Sequence, residues 1–167
     1  LTVTGSTNLY GHIVAKNGTL NITGNEVVSS DLTVTGSLIF PTNQRGVIEI
    51  GGSRFAHAYG TGNTFLGKDA GNFKMSGDYN TALGANALNK NTTGLDNAAV
   101  GAAALYSNTE GDYNTASGVN ALYTNTTGDN NTASGFNALY ANTTGYNNTA
   151  AGVNALTSNT EGYNNTA

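Results

Sequence analysis

The sequence predicts an all-β fold, a parallel β-solenoid of 17-residue repeats, and three observations carry that prediction. Glycine returns at Gly60, Gly77, Gly94, Gly111, Gly128, Gly145 and Gly162, always 17 residues apart. Most units then repeat Asn-Thr-Ala-x-Gly followed by Ala-Leu, as in Asn114 to Gly118 and Ala121-Leu122. Helix is disfavoured throughout, because each unit holds glycines in its first and eighth positions together with asparagines and threonines that prefer turns and strands. A unit of 17 residues is also too short for the helix pairs of common helical repeats, which need roughly 33 to 47. A short fixed period means that each unit buries its apolar side only by stacking on its neighbours.

The chain divides into three stretches by pattern. Residues 1–40 form a β-rich stalk: Leu1-Thr-Val-Thr-Gly5 returns as Leu32-Thr-Val-Thr-Gly36, with Leu20-Asn-Ile-Thr-Gly24 between them. Alternation of Leu, Val and Ile with Thr, closed by Gly, marks short half-buried strands. Such strands are too brief to be stable alone, so the stalk is expected to intertwine with copies of itself. Residues 41–59 are a connector that holds the single proline, Pro41, and a predicted strand at Val47-Ile-Glu-Ile50. Arg54 to His57 then leads into the array, residues 60–167, which is six repeats and a partial seventh.

We number the slots of each repeat from its opening glycine. In the first repeat Phe65 occupies slot six and Gly71 replaces the leucine of slot twelve, which marks a capping coil with one face lacking a neighbour. In the regular units, slots four, six and eight carry Asn, Ala and Gly on one side of a strand, leaving that side without bulk. Slot twelve supplies one large apolar residue per coil: Leu88, Leu105, Leu122, Leu139 and Leu156. One leucine is worth roughly 1.5–3 kcal/mol when buried, against about 1–2 kcal/mol per residue for ordering the backbone. Either the roll is very tight or several rolls share a core.

Slots fourteen to seventeen carry turn chemistry, and the asparagines of slot fifteen are expected either to adopt a left-handed conformation or to bond the backbone nearby. With coils stacked ~4.8 Å apart, equal slots fall into ladders, so the asparagines of slots four and fifteen are expected to hydrogen-bond along the axis.

Composition narrows the function classes. Charged residues make up 10% of the chain, well under the usual ~25%. All six basic residues precede residue 91, and the remainder of the chain sums to −5. That balance fits neither a nucleic-acid binder nor a surface drawn to anionic lipid. No cysteine is present, so disulfides and thiolate metal sites are excluded. The sequence shows no apolar run long enough for a membrane-spanning helix and no signal peptide. It starts at Leu1 and stops inside a repeat at Ala167, and it reads as part of something longer.

The strings Asn80-Thr-Ala-Leu-Gly-Ala-Asn-Ala-Leu88 and Asn114-Thr-Ala-Ser-Gly-Val-Asn-Ala-Leu122 resemble the head repeats of trimeric autotransporter adhesins and the fibre repeats of phage tail-fibre proteins. The Leu-Thr-Val-Thr-Gly stretches resemble the β-stalks that precede such heads. The resemblance covers most of the chain, although autotransporter heads usually have a repeat shorter than this one. It implies a left-handed β-roll with two short strands per turn, three chains packed as a homotrimer, and an extracellular, cell-surface or virion-surface location. It also implies a non-enzymatic role as spacer and attachment surface, with a cell-surface glycan or protein as partner.

Candidate chemistry is sparse. The acids of slot two, Asp78, Asp112 and Asp129, read as solvated turn residues, although Asp112, Asp129 and Glu110 are expected to lie close together. Neither a carboxylate pair for glycoside cleavage nor a glycine-rich calcium repeat is expected from them. His12 and His57 stand apart from one another and read as satisfied or solvated histidines; no cofactor is expected. Tyr106, Tyr123 and Tyr140 occupy slot thirteen of three consecutive coils and are the candidate ligand or partner surface. The same row also reads as a ladder that stabilises the stack or a seam between chains. Asn-x-Thr strings at Asn91 and Asn125 match the glycosylation acceptor, but the repeat generates them. Two other roles fit the array: an extracellular filament with no ligand, and an ice-binding solenoid suggested by threonines in slots five, sixteen and seventeen.

Overall fold

The computed structural model describes residues 2–4, 21–23, 47–50 and 53–167. The chain forms two compact units, Leu1–Ile39 and Phe40–Ala167. In the first, β1 (Thr2–Thr4) pairs in parallel with β2 (Asn21–Thr23), Val3 opposite Ile22. These two strands pair with one another within one chain. The repeat at Leu32 to Gly36, His12, Glu26, Asp31, Pro41, Gly46, Gly51 and Gly52 lie outside the described residues.

Among its described residues the second unit holds one sheet of eight strands. A hairpin opens it: β3 (Val47–Ile50), at the predicted position, pairs antiparallel with β4 (Ser53–His57). Residues 54–57 are more than a lead-in to the array. They form the strand that covers the first coil, with Ala56 opposite Leu66 and His57 opposite Phe65. After that the sheet is wholly parallel, one three-residue strand per coil: β5 (Thr64–Leu66), β6 (Thr81–Leu83), β7 (Ala98–Val100), β8 (Thr115–Ser117), β9 (Thr132–Ser134) and β10 (Thr149–Ala151). Each pairs with the strand 17 residues away in unshifted register, so the chain is a parallel β-solenoid of 17-residue repeats. Among the described residues there is no helix, and none is long and apolar enough to cross a membrane.

The middle residue of each array strand is buried and its neighbours face out or are half-buried, so slot six points into the roll. From the second to the fifth coil the core is a single file: an alanine from slot six, and an alanine and leucine from slots eleven and twelve; the first coil contributes Phe65, Ala70 and Met75 instead. Leu88, Leu105, Leu122 and Leu139 are 0% exposed in one chain alone, so the roll is tight and closes on its own leucine. No second roll is needed to cover the leucines.

The second short strand implied by the resemblance is absent. Slots nine to fourteen form successive turns, because slots ten and twelve take left-handed backbone: φ is 58° at Asn120 and 52° at Leu122. Slot three is left-handed as well, with φ 56° at Tyr113, whereas the slot-fifteen asparagines are not left-handed. A leucine in this region costs roughly 1–2 kcal/mol, and its burial returns about 1.5–3 kcal/mol. Burial wins, and the turn also lets Leu122 N–H donate to Ala138 O at 3.0 Å in the next coil.

Candidate functional site

Glycine in slots one and eight is what lets coils stack this closely. A Cβ on Gly111 would lie 2.5 Å from both Gly128 O and Asn108 Oδ1. On Gly101, where φ is +133°, it would lie 2.5 Å from Gly118 O. Both spaces are filled by backbone of the following coil.

That approach creates two buried amide ladders. In slot four, the main-chain N–H of Asn80, Asn97, Asn114, Asn131, Asn148 and Asn165 donates to Oδ1 of the asparagine one coil earlier, at 2.6–3.0 Å. In slot fifteen, Asn108, Asn125, Asn142 and Asn159 donate from Nδ2 to the preceding Oδ1, at 2.8–3.0 Å. The ladders meet at the slot-one carbonyls: Gly111 O accepts from Asn97 Nδ2 at 2.8 Å and from Asn108 Nδ2 at 2.9 Å. Asn131 uses its whole side-chain capacity, donating to Asn114 Oδ1 and Gly145 O while accepting from Asn148 N and Nδ2. A buried amide is costly unless paired, and here pairing is complete only when the neighbouring coils are in place. The ladders expected from sequence are therefore the polar half of the core. They also place Asn91 and Asn125, the glycosylation-like positions, at 0% exposure.

The acids have structural partners too. Asp78, Asp112 and Asp129 accept from the slot-two N–H of the coil before, on Thr61, Leu95 and Asp112, at 2.8–3.1 Å. They are half-buried caps and not freely solvated turns. Asp112 and Asp129 are brought together through that bond. Among the described residues, no group of three or more His, Cys, Asp or Glu side chains is arranged to hold a metal ion.

His57 closes the first end of the array. It is buried, donates from Nε2 to Ala70 O at 2.8 Å, and its ring lies 4.7 Å from Phe65 and 4.6 Å from Phe73. Tyr59 meets Phe73 edge-on at 5.8 Å. An aromatic cap thus replaces the missing neighbour of the first coil.

The structure brings Tyr106, Tyr123 and Tyr140 together as a half-buried stack, with ring centroids 5.1 and 5.2 Å apart and planes within 9°. Lys90 Nζ lies 4.9 Å from the centre of the Tyr106 ring, a cation over the end of the stack. The facing sides of these three rings are occupied by one another, so a ligand beside the row meets mostly edges. Tyr146 and Tyr163 form a second stack at 5.2 Å, and they are more exposed. Tyr79 and Tyr113 stand out singly at 60% and 55% exposure.

Threonines divide by slot. Those of slot five line the outer face of the sheet, whereas the slot-sixteen hydroxyls of Thr92, Thr109, Thr126 and Thr143 donate to the slot-sixteen carbonyl of the next coil at 2.8–3.2 Å. Compared with models of known protein families, with curated proteins and with solved structures, the chain has no match.

Proposed function

We propose that this chain is a non-enzymatic segment of a trimeric surface fibre, its array serving as spacer and attachment surface outside a cell or on a virion. The observation that carries the reading is the pair of asparagine ladders, whose buried polar groups are satisfied by the coils on either side. A unit held this way is interchangeable with its neighbours, so reach grows by about 4.8 Å for each added coil without any new kind of contact. The left-handed sense of the roll and the association of three copies belong to the same proposal.

The acids that come close together are engaged with backbone amides, which suits a structural and not a catalytic role. Exposed Tyr79, Tyr113, Tyr146 and Tyr163 supply faces for a cell-surface glycan or protein, and identical copies turn weak contacts into avidity. A filament grown by end-to-end stacking is less favoured, because β4 already covers the first coil's edge. Sedimentation equilibrium of the full chain, followed by binding of chain-coated beads to cells and glycan arrays, tests the proposal. A mass of three times 17.0 kDa with saturable bead binding is expected. A monomer, or trimeric beads that bind nothing, would overturn the fibre or the attachment half respectively.

A further inference from the structure

Slots seven and nine flank the slot-eight glycine and face outward in each coil. Slot seven is large and apolar in the first three coils, at Leu66, Leu83 and Val100, and then becomes Ser117, Ser134 and Ala151. Slot nine does the reverse: Lys68, Ala85 and Ala102 give way to Val119, Phe136 and Val153. Every coil therefore shows one large exposed apolar side chain, 38–70% exposed, beside a small one in all but the first coil, which has Lys68. Strand register keeps slot seven aligned along the stack, and bonds such as Asn137 N–H to Val119 O at 3.1 Å keep slot nine aligned. The apolar row thus follows slot seven for three coils and then steps past the slot-eight glycines to slot nine for the next three.

We infer that this stepped row is the line along which copies of this chain pack against one another. The inference rests on the trimeric fibre reading and names the surface that reading leaves unassigned. Three features select a second copy as the occupant. An identical chain in parallel orientation has the same coil rise, so each row residue meets a row residue at its own height. From Gly77 onward every acid lies in slots seventeen, two or three, namely Asp78, Asp96, Glu110, Asp112, Asp129 and Glu161, so like copies avoid repulsion by meeting across slots seven and nine. The six large side chains leave on the order of 500 Å² of apolar surface, close to the apolar share of a standard interface of about 800 Å² per partner. A glycan is a poor occupant, because the hydrocarbon side chains of the row, five aliphatic and one phenyl, offer it no hydrogen bonds.

The chain has no cysteine, so single-cysteine variants read proximity between copies directly. Under mild oxidation, Leu83→Cys is expected to give several-fold more disulfide-linked dimer than Ala85→Cys. The order reverses two coils on, with Val119→Cys exceeding Ser117→Cys, and Glu110→Cys gives none. A second variant, Phe136→Lys, is expected to raise the concentration at which the oligomer dissociates by about tenfold or more, with the circular dichroism of the array unchanged. Equal yields within each pair, or dominant linking through Glu110→Cys, in a chain that still sediments as an oligomer would overturn this interface and leave the fibre reading standing. A 17.0 kDa monomer would overturn both.

Discussion

Phe65 and Gly71 exchange the sizes found everywhere else in the array. A Cβ on Gly71 would lie 2.6 Å from Phe65 Cγ, so the ring occupies the space that a slot-twelve leucine fills in later coils. Gly71 has φ +66°, close to the 49–52° of those leucines, so backbone conformation is shared and only the filler differs. The swap places an aromatic ring where His57 and the capping strand pack.

This relationship predicts a strongly coupled pair. Phe65→Ala should cost about 3–5 kcal/mol through its cavity, and Gly71→Leu about 1–3 kcal/mol or more through overpacking. Together they rebuild the interior Ala-Leu pattern, so the double variant should recover about 2–3 kcal/mol relative to the sum. Urea denaturation of the four proteins checks it, and strict additivity would count against the size exchange.

Asn131→Asp should be among the most damaging isosteric changes. It removes two donors and faces a carboxylate toward Asn114 Oδ1 and Gly145 O in a 0% exposed site. A loss of about 3 kcal/mol or more is expected at neutral pH. Replacing the exposed neighbour, Asn130→Asp, should change stability by less than about 0.5 kcal/mol. Similar losses for the two would show that the ladder contributes little.

Gly101→Ala and Gly152→Ala separate steric contact from backbone strain. Their φ values are +133° and +139°, but a Cβ at Gly152 meets nothing within 4 Å, whereas at Gly101 it meets Gly118 O. The Gly152 variant should lose about 1–3 kcal/mol from conformation alone, and the Gly101 variant should lose clearly more. Thermal melts compare them, and equal shifts in Tm would remove the argument for close stacking at slot eight.

Tyr123→Ala should lower stability by about 1–3 kcal/mol, because it breaks two ring contacts at once. Tyr113→Ala, at an exposed single ring, should have little effect on melting. If Tyr123→Ala melts like the parent chain but abolishes bead binding, the row is a ligand platform and not a structural ladder.

Much of this architecture was legible because a repeat makes one local solution visible many times. The 17-residue spacing foretold the register of β5 to β10, and the asparagines of slots four and fifteen foretold the ladders. Phe65 and Gly71 announced the capping coil. Less legible was anything that depended on backbone the side chains do not advertise. Leu122 is a poor left-handed residue by propensity, so its φ of 52° follows only from the closure of the roll around it. Ser53–His57 lacks a clear alternation and becomes a strand because the first coil needs an edge partner. The change at slot seven became interpretable only once slot nine was seen to be exposed close beside it, with Phe136 large where Ser134 is small. The tyrosine row was visible in sequence, but its stacking, and with it the covering of the facing ring sides, depends on how the coils align the side chains in space.

Deletion of residues 111–127, one whole repeat, tests most directly the claim that coils are interchangeable spacer units. The cut joins Glu110 to Gly128, places Asn131 against Asn97, and keeps every slot in register. The shortened chain should unfold in one transition, with the same circular dichroism per residue and a Tm lowered by only a few degrees, whereas removal of residues 111–126 should abolish folding. If the 17-residue deletion unfolds or aggregates like the shorter one, the coils are not equivalent units and the spacer account fails.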